Sequence, residues 1–381
     1  MKVLFFASSD HLYRFRIPLA VAVRGEGHEV LFVSPPDPYA VKLAEAGFRW
    51  CPLPLERSGV NPFKELITLL RVARIYRRER PDLVHHFTLK CALYGSLAAR
   101  SAGIRAVFNA VPGVGYIYTS KDLKARLLRP FVNLLCRVGF RGTRMIFENP
   151  DNRELFLACG ITSRGESCVI RSAGVDTNRF TPSPEVCGTP IVLLAGRMLW
   201  DKGIGEFVEA VKLLKRQGVI ARFVLVGGCD PENPAAVPRR SLEEWAKTGT
   251  VEWWGASEDM PAVYSGVHVV CLPSYGEGGA NVLLEAGACG RPVVATDVPG
   301  CRQAVKPGEN GLLVPVRDAE ALAEAIAVLL KDPALRGRMG ARGREIAVQE
   351  FSEERVVRET LALYRELLGA KWPAAASVPV S

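Results

Sequence analysis

The chain has 381 residues, a formal net charge of +9, and 48% hydrophobic against 23% charged residues. That balance excludes a disordered or collagen-like chain and fits a globular enzyme, whose length favours two domains, each able to bury its own core. No window reaches about 18 uninterrupted apolar residues, so no membrane-spanning helix is expected. The ten cysteines carry no C-x-x-C pair, a pattern of reduced, buried thiols in a cytoplasmic protein rather than of disulfides or zinc. Charge is unevenly placed: residues 1–168 sum to +11 and the remainder to −2. One half is therefore expected to meet an anionic partner. Aromatic residues do not interleave with the basic clusters, so nucleic acid is not that partner.

In chain order, Lys2–Ala7 reads as a strand rather than a signal peptide, followed by Ser8-Ser9-Asp10-His11 and a helix through Pro18 to Arg24. Glu29–Ser34 is the next strand, and this strand–helix–strand start argues for a parallel α/β sheet. In such a sheet the loop after the first strand, with Ser9, opens at the carboxyl edge where ligands bind. Pro62–Arg80 has helical period, with Leu66, Leu69, Leu70, Val72, Ala73 and Ile75 expected inward, and it carries five arginines. Leu83–Phe87 is a strand ending in His85-His86, of which alternation lets only one face the crevice. A structural role fits a strand-end histidine as well. Val107–Val111 runs as a strand into a loop with Gly113 and Gly115.

Between Lys121 and Arg144 lie seven cations and one anion, with Leu123, Leu127, Leu128, Phe131, Leu134, Leu135 and Val138 at near-helical spacing. Such a basic amphipathic helix, kinked or divided by Pro130, can lie on an anionic membrane surface, gaining about 1 kcal/mol per surface cation. It can equally be a packed helix with a solvated basic face.

In the second half, Thr181–Pro190 reads as a linker. Ile191–Ala195 is a fresh strand ending in Gly196-Arg197, and Trp200-Asp201-Lys202-Gly203 opens the helix Ile204–Arg216. Phe223–Val226 with Gly227-Gly228 is the next strand and turn; Asp230–Arg240 is an ordered loop, and Val251–Gly255, with Trp254, follows it. The stretch Leu272–Thr296 organises the rest: a strand, the loop with Glu277, Gly278, Gly279, Ala280 and Asn281, a helix with Glu285, and a strand from Val293. Free N–H groups at that helix start favour a phosphate, and two carboxylates beside it suit a hydroxyl-rich ligand such as a sugar or ribose diol. Glu285 on a solvated helix face and Glu277 as a plain loop charge remain the alternative. No D-x-D occurs, so a metal-bridged diphosphate has no obvious ligands, and no cofactor is expected.

The segment GEGGANVLLEAGACGRPVVATDVPG resembles the E-x7-E signature of the retaining nucleotide-sugar glycosyltransferases of family 4, although its EGGAN departs from the commoner EGLP or EGFP loop. The GR-x-x-x-x-KG spacing of Arg197 and Lys202 and the AGVD-x-x-x-F crossing at Ala173–Phe180 are similar to that family too. The resemblance implies α/β GT-B architecture: two Rossmann-like domains facing across a cleft, with the C-terminal helix crossing back to the N-terminal domain. Residues 1–170 would form the acceptor and membrane side, 171–350 the donor side, 351–370 the returning helix and 371–381 a tail. Arg197 and Lys202 would neutralise the donor diphosphate and Glu277 contact the transferred sugar. Glu285 would hold the ribose, and backbone N–H groups at Gly278, Gly279, Ala280 and Asn281 the phosphates. Gly228 and Trp254 complete the expected donor set.

On the acceptor side, FRIPLA resembles an HRLPLA-type segment, DLVHHFTLK a DIVHHFTxKP block, and NAVPGVGY an N-x-x-x-G-x-G-Y block of polyprenyl-linked sugar transferases. By resemblance, Ser9, Arg16, Lys90, Asn109 and Gly113 would line the acceptor and His86 join the catalytic set. The implied reaction moves a hexosyl group, N-acetylated by preference, from a UDP-sugar to a polyprenyl-diphosphate-linked sugar, with retention and without metal. It would take place at the inner face of the cell membrane. The alternatives are a UDP-sugar 2-epimerase-like isomerase of the same fold and a non-catalytic peripheral membrane binding protein.

Overall fold

Runs such as Val3–Phe6, Leu31–Val33 and Val192–Ala195 are apolar throughout rather than alternating, as strands covered on both faces require. The computed structural model describes residues 1–55, 61–113, 118, 123–231 and 233–372, without the side-chain surroundings of Pro62, Lys124 and Ala125. Met1–Ala173 and the chain from Glu354 onward form one unit, and Gly174–Glu353 the other.

The first unit holds seven strands: β1 (Lys2–Phe6), β2 (Glu29–Ser34), β3 (Arg49–Pro52), β4 (Leu83–Phe87), β5 (Ala106–Val111), β6 (Arg144–Phe147) and β7 (Ser167–Val169). Their order is β3-β2-β1-β4-β5-β6-β7, with every pair parallel. Helices Pro62–Glu79, Leu89–Ser101 and Leu123–Phe140 cover one face, the middle one packing against both neighbours. The other face is covered by Ser9–Phe15, Ile17–Gly25, Pro38–Glu45 and the last helix, Glu353–Leu368, whose Val356, Leu361 and Tyr364 complete this core. The expected return of that helix is therefore present.

The second unit has β8 (Ile191–Ala195), β9 (Arg222–Val226), β10 (Glu252–Trp253), β11 (Val269–Leu272), β12 (Val293–Thr296) and β13 (Gly311–Val314). They are ordered β10-β9-β8-β11-β12-β13, again all parallel. Each sheet reverses its winding once, between β1 and β4 and between β8 and β11. In open α/β sheets ligands bind beyond the carboxyl ends of the strands at that point.

Three expectations need correction. Leu66 and Leu70 are exposed, not inward. Helix Pro62–Glu79 carries two apolar stripes of helical period: Leu69, Val72, Ala73 and Tyr76 face the sheet, whereas Phe63, Leu66, Ile67 and Leu70 face away. Periodicity alone cannot choose between them. Pro130 does not divide its helix, which runs unbroken from Leu123 to Phe140. It stands at an exposed position, where water can meet the carbonyl that loses its donor. The expected tail at 371–381 begins too early: Trp372 is buried, and its indole donates to Glu26 at 2.6 Å. Residues 373–381 lie outside the described residues.

Candidate active site

In the second unit the loops after β8 and β11, on either side of the winding reversal, are fastened together. The Asp201 carbonyl accepts from the Tyr275 backbone N–H at 2.9 Å and from the Ser274 hydroxyl at 3.1 Å. Thr296 Oγ1 at the end of β12 donates to the Ser274 carbonyl. Gly203 follows Lys202 at φ 73°, and a Cβ there would meet the Pro273 carbonyl oxygen at 2.1 Å, so only glycine lets the two loops close. The result is a direct ion pair between Lys202 Nζ and Glu277 Oε1, 2.5 Å apart and partly shielded from water. Gly300 also lies close against the Glu277 backbone: a Cβ there would come within 2.5 Å of the Glu277 carbonyl oxygen. The Tyr275 hydroxyl donates to Glu206 at 2.6 Å, and burial with that carboxylate pushes its pKa up to about 12.

Ala280 caps helix Asn281–Ala288 in a left-handed conformation, φ 45°, uncommon for a residue with a Cβ. The helix thus begins beyond the carboxyl end of β11, and its amino end carries a partial positive charge. Gly278, Gly279 and Asn281 lie in or beside it. In the helix's second turn, Glu285 accepts a hydrogen bond from the buried Tyr264 hydroxyl at 2.9 Å. Burial, and then Glu285, hold that phenol far above its ordinary pKa, so it stays protonated and able to donate to Glu285.

Arg197 is exposed and pairs with Asp230 at 3.0 Å. The loop carrying Asp230 is ordered against the Arg197 segment: the Met198 N–H donates to the Gly228 carbonyl, Trp200 N–H to Ala235, and Val237 N–H to Met198. Glu232, within the same run, lies outside the described residues. Trp254 and Trp253 are placed differently. The Trp254 indole N–H is turned onto Glu252 at 3.0 Å beside Arg222, along the sheet edge, whereas Trp253 donates to the Gly227 carbonyl beyond the end of β9.

The residues expected on the acceptor side lie mostly inside the first unit. His86 is completely buried, its Nε2 paired with the Tyr76 hydroxyl at 2.8 Å and its Nδ1 with Asn109 at 2.7 Å. Burial lowers its pKa to about 4, so it is neutral and held inside the core. Asn109 is equally buried and also bonds Ser96 and Thr143. His85 faces the opposite side of the sheet and is buried too, against the Tyr364 hydroxyl. Alternation thus sends the two histidines into two cores, because β4 is central and both faces are covered. Neither reaches a crevice, which corrects the expectation for His86 and Asn109.

Arg16 is not an open phosphate-binding side chain either. It is buried, paired with Glu148 at 3.5 Å, and stacked over Phe87. Ser9 is buried and donates to Asp37, the cap of helix Pro38–Glu45. Lys90 is partly exposed beyond the end of β4 but is paired with Glu65 at 2.8 Å. Gly113 is exposed after β5, while Gly115 and Tyr116 of the same motif lie outside the described residues. Sequence reading missed the partners Tyr264, Glu148, Tyr76 and Tyr364; only Tyr76 carried a signal, its place on the inward helical stripe. Among the described residues no group of three or more His, Cys, Asp or Glu is placed to hold a metal ion, and no helix is long and apolar enough to cross a membrane.

Comparison with known proteins agrees with this arrangement. The family model "Glycosyl transferase 4-like" matches residues 2–149, and "Glycosyl transferases group 1" matches residues 189–332. The chain is 32% identical over 371 residues to the N,N'-diacetylbacillosaminyl-diphospho-undecaprenol alpha-1,3-N-acetylgalactosaminyltransferase of Campylobacter jejuni, spanning 94% of this chain and 96% of that protein. In fold it is similar to a glycosyltransferase from Rickettsia africae, with a TM-score of 0.79, 20% identity, and 97% and 98% of the two chains covered. It is also similar to Anabaena HepE, solved in complex with UDP, with a TM-score of 0.78, 19% identity, and 96% and 100% covered. With both halves matched and identity sustained along nearly its whole length, the chain belongs to the family 4 glycosyltransferases and is an enzyme of the GT-B fold.

Proposed function

We propose that the protein moves an N-acetylhexosaminyl group from a UDP-sugar to a polyprenyl-diphosphate-linked sugar in the assembly of a bacterial surface polysaccharide or glycan. The observation that carries the reading is the Lys202–Glu277 pair at the winding reversal of the second unit, held by Gly203 against Pro273. The Campylobacter relative, named for an acceptor of that class and for N-acetylgalactosaminyl transfer, supports the choice of substrates. We assign Gly174–Glu353 to the donor and the first unit to the acceptor.

In this reading Lys202 and Arg197 receive the diphosphate, exchanging their present carboxylate partners for phosphate oxygens. Glu277 is then released toward the hydroxyls of the transferred sugar, and Glu285, oriented by Tyr264, takes the ribose diol. Phosphate oxygens rest on the amino end of helix Asn281–Ala288. The acceptor hydroxyl attacks the anomeric carbon on the face from which UDP departs. The C–O bond to the diphosphate breaks, the new glycosidic bond forms with retained configuration, and the departing phosphate oxygen takes the acceptor's proton. The two cations stabilise the charge gained by the leaving group, which is the task a metal performs elsewhere. The protein would act peripherally at the inner face of the membrane, where a polyprenyl acceptor is anchored.

UDP release from a panel of UDP-sugars tests this, with and without a polyprenyl-diphosphate-sugar in detergent, and with EDTA present. Release that requires the acceptor and survives EDTA is expected. Consumption of a UDP-sugar without acceptor and without UDP release would instead mark an isomerase.

A further inference from the structure

Among the described residues, every leucine and phenylalanine that is exposed lies on helices Pro62–Glu79 or Leu123–Phe140. On the first, Phe63, Leu66, Ile67 and Leu70 form the outward stripe; Phe63 is 80% exposed. On the second, Leu123, Leu127, Phe131 and Leu134 project in the same manner, Leu127 being 71% exposed. Scattered apolar residues are ordinary on a surface, but a concentration on two elements of one layer is not.

Both helices flank Leu89–Ser101 on the same face of the first sheet. Each connects parallel strands, β3 to β4 and β5 to β6, so each starts at the carboxyl edge of the sheet. Phe63, Leu66, Leu123 and Leu127 lie in the opening turns, hence on the rim where a ligand of this unit would enter. The charges complement the stripe. Arg71, Arg74, Arg126 and Arg137 are exposed on the same helices. Helix Leu123–Phe140 has no carboxylate, and on Pro62–Glu79 both glutamates are occupied: Glu65 by Lys90 and Tyr94, and Glu79 by Lys2, Arg49 and Arg78.

We infer that these two helices together form a docking surface for an anionic lipid bilayer, with the carboxyl edge of the first sheet turned toward the lipid. Apolar side chains enter the acyl boundary and arginines meet the headgroups. Helix Pro62–Glu79 is the new element. Its outward stripe makes the contact two-sided, which fixes a tilt that one helix alone leaves free. The purpose of this orientation, presenting a lipid-anchored acceptor at the rim, rests on the reading proposed above; the surface itself is tested without substrate.

The test is sedimentation of the full chain with vesicles of phosphatidylglycerol and phosphatidylethanolamine, against vesicles of phosphatidylcholine alone. Binding to the anionic vesicles, weakening as salt is added, is expected. Phe63→Asp with Leu66→Asp, and separately Leu127→Asp with Phe131→Asp, should each weaken partitioning about tenfold or more. Val41→Asp, at an exposed site on the opposite layer, should not. Melting curves confirm that the variants fold. Wild-type sedimentation of the Phe63/Leu66 variant would overturn the inference. So would a lipid-free dimer that the same substitutions split, since the stripe would then join two copies of the chain. Retained UDP release in detergent alongside lost vesicle binding supports the surface, whereas no UDP release even from the wild type would sink the transferase reading and leave the surface standing.

Discussion

The substitution Gly203→Ala isolates the contact on which the proposed donor site depends. A Cβ at this position would lie 2.1 Å from the Pro273 carbonyl oxygen, against a practical minimum of 3.0 Å, so the two loops must part by about 0.9 Å (3.0 less 2.1). The left-handed backbone adds about 1–2 kcal/mol of strain for a residue with a Cβ. Lys202 precedes Gly203, and Glu277 lies four residues after Pro273, so the separation falls directly on their 2.5 Å pair. A misplacement of about 1 Å among groups that must act together can cost about 10²-fold in rate. We therefore expect kcat/KM for UDP release to fall about 10²-fold, with the melting temperature lowered by only a few degrees. Gly205→Ala is the control: it lies within the helix, and its Cβ would meet the Trp200 ring at an ordinary 3.5 Å. It should stabilise the protein by about 0.5–1 kcal/mol and leave turnover unchanged. Wild-type kcat/KM in Gly203→Ala would refute the argument, as would equal damage from Gly205→Ala.

Other predictions follow from the same geometry. Lys202→Met should lower kcat/KM by roughly 10²–10³-fold through lost stabilisation of the leaving diphosphate, while steady melting behaviour shows that the fold survives. Glu285→Ala should weaken UDP binding measured calorimetrically by roughly tenfold or more, and Tyr264→Phe should cost about 1 kcal/mol of stability through one lost hydrogen bond. Wild-type UDP affinity in Glu285→Ala would remove Glu285 from the donor site. The buried His86 gives a pH dependence: its pKa is 6.5 when unfolded and about 4 when folded, so acid favours the unfolded chain. Stability from this group is complete above pH 6.5 and is lost as pH falls toward 4, by about 3 kcal/mol. His86→Gln should flatten the fall of melting temperature over that interval, and an unchanged slope would contradict the buried neutral state.

Much of the fold was legible because its signals are local. Apolar runs bounded by Gly and Pro locate β2 and β4 to the residue, and a tight turn followed by helical period locates Ile204–Arg216. The same locality made the proposed donor side legible as a candidate, since loop, carboxylate and helix start are packed into one stretch after β11. What that stretch does not display is its second half. The ion pair of Glu277 is made with Lys202, 75 positions away, and depends on a glycine whose need is a distant carbonyl. Trp253 and Trp254 meet different partners, Gly227 and Glu252, because successive side chains of an extended segment point to opposite sides, and which side carries a partner belongs to the sheet rather than to the dipeptide.

The expectations for His86 and Asn109 failed for a single physical reason. A polar residue on a central strand looks, in sequence, like a residue reserved for chemistry, since burial of an unpaired polar group is costly. The cost falls where partners are supplied, and these are not neighbours in sequence: Tyr364 reaches His85 Nδ1 across 279 positions, although His85 Nε2 is left without a partner, and Asn109 and Tyr76 satisfy the two nitrogens of His86. The returning C-terminal helix is thus part of what buries His85 on the central strand and keeps it neutral, and Tyr364→Phe should destabilise the first unit without touching any loop at its rim. Chemistry on that unit must then be sought on the loops beyond the strand ends, around Lys90 and Gly113, where side chains can meet a ligand without breaking the core. A Tyr364→Phe variant that loses acceptor specificity while keeping its melting temperature would reverse this assignment and return His85 to the site.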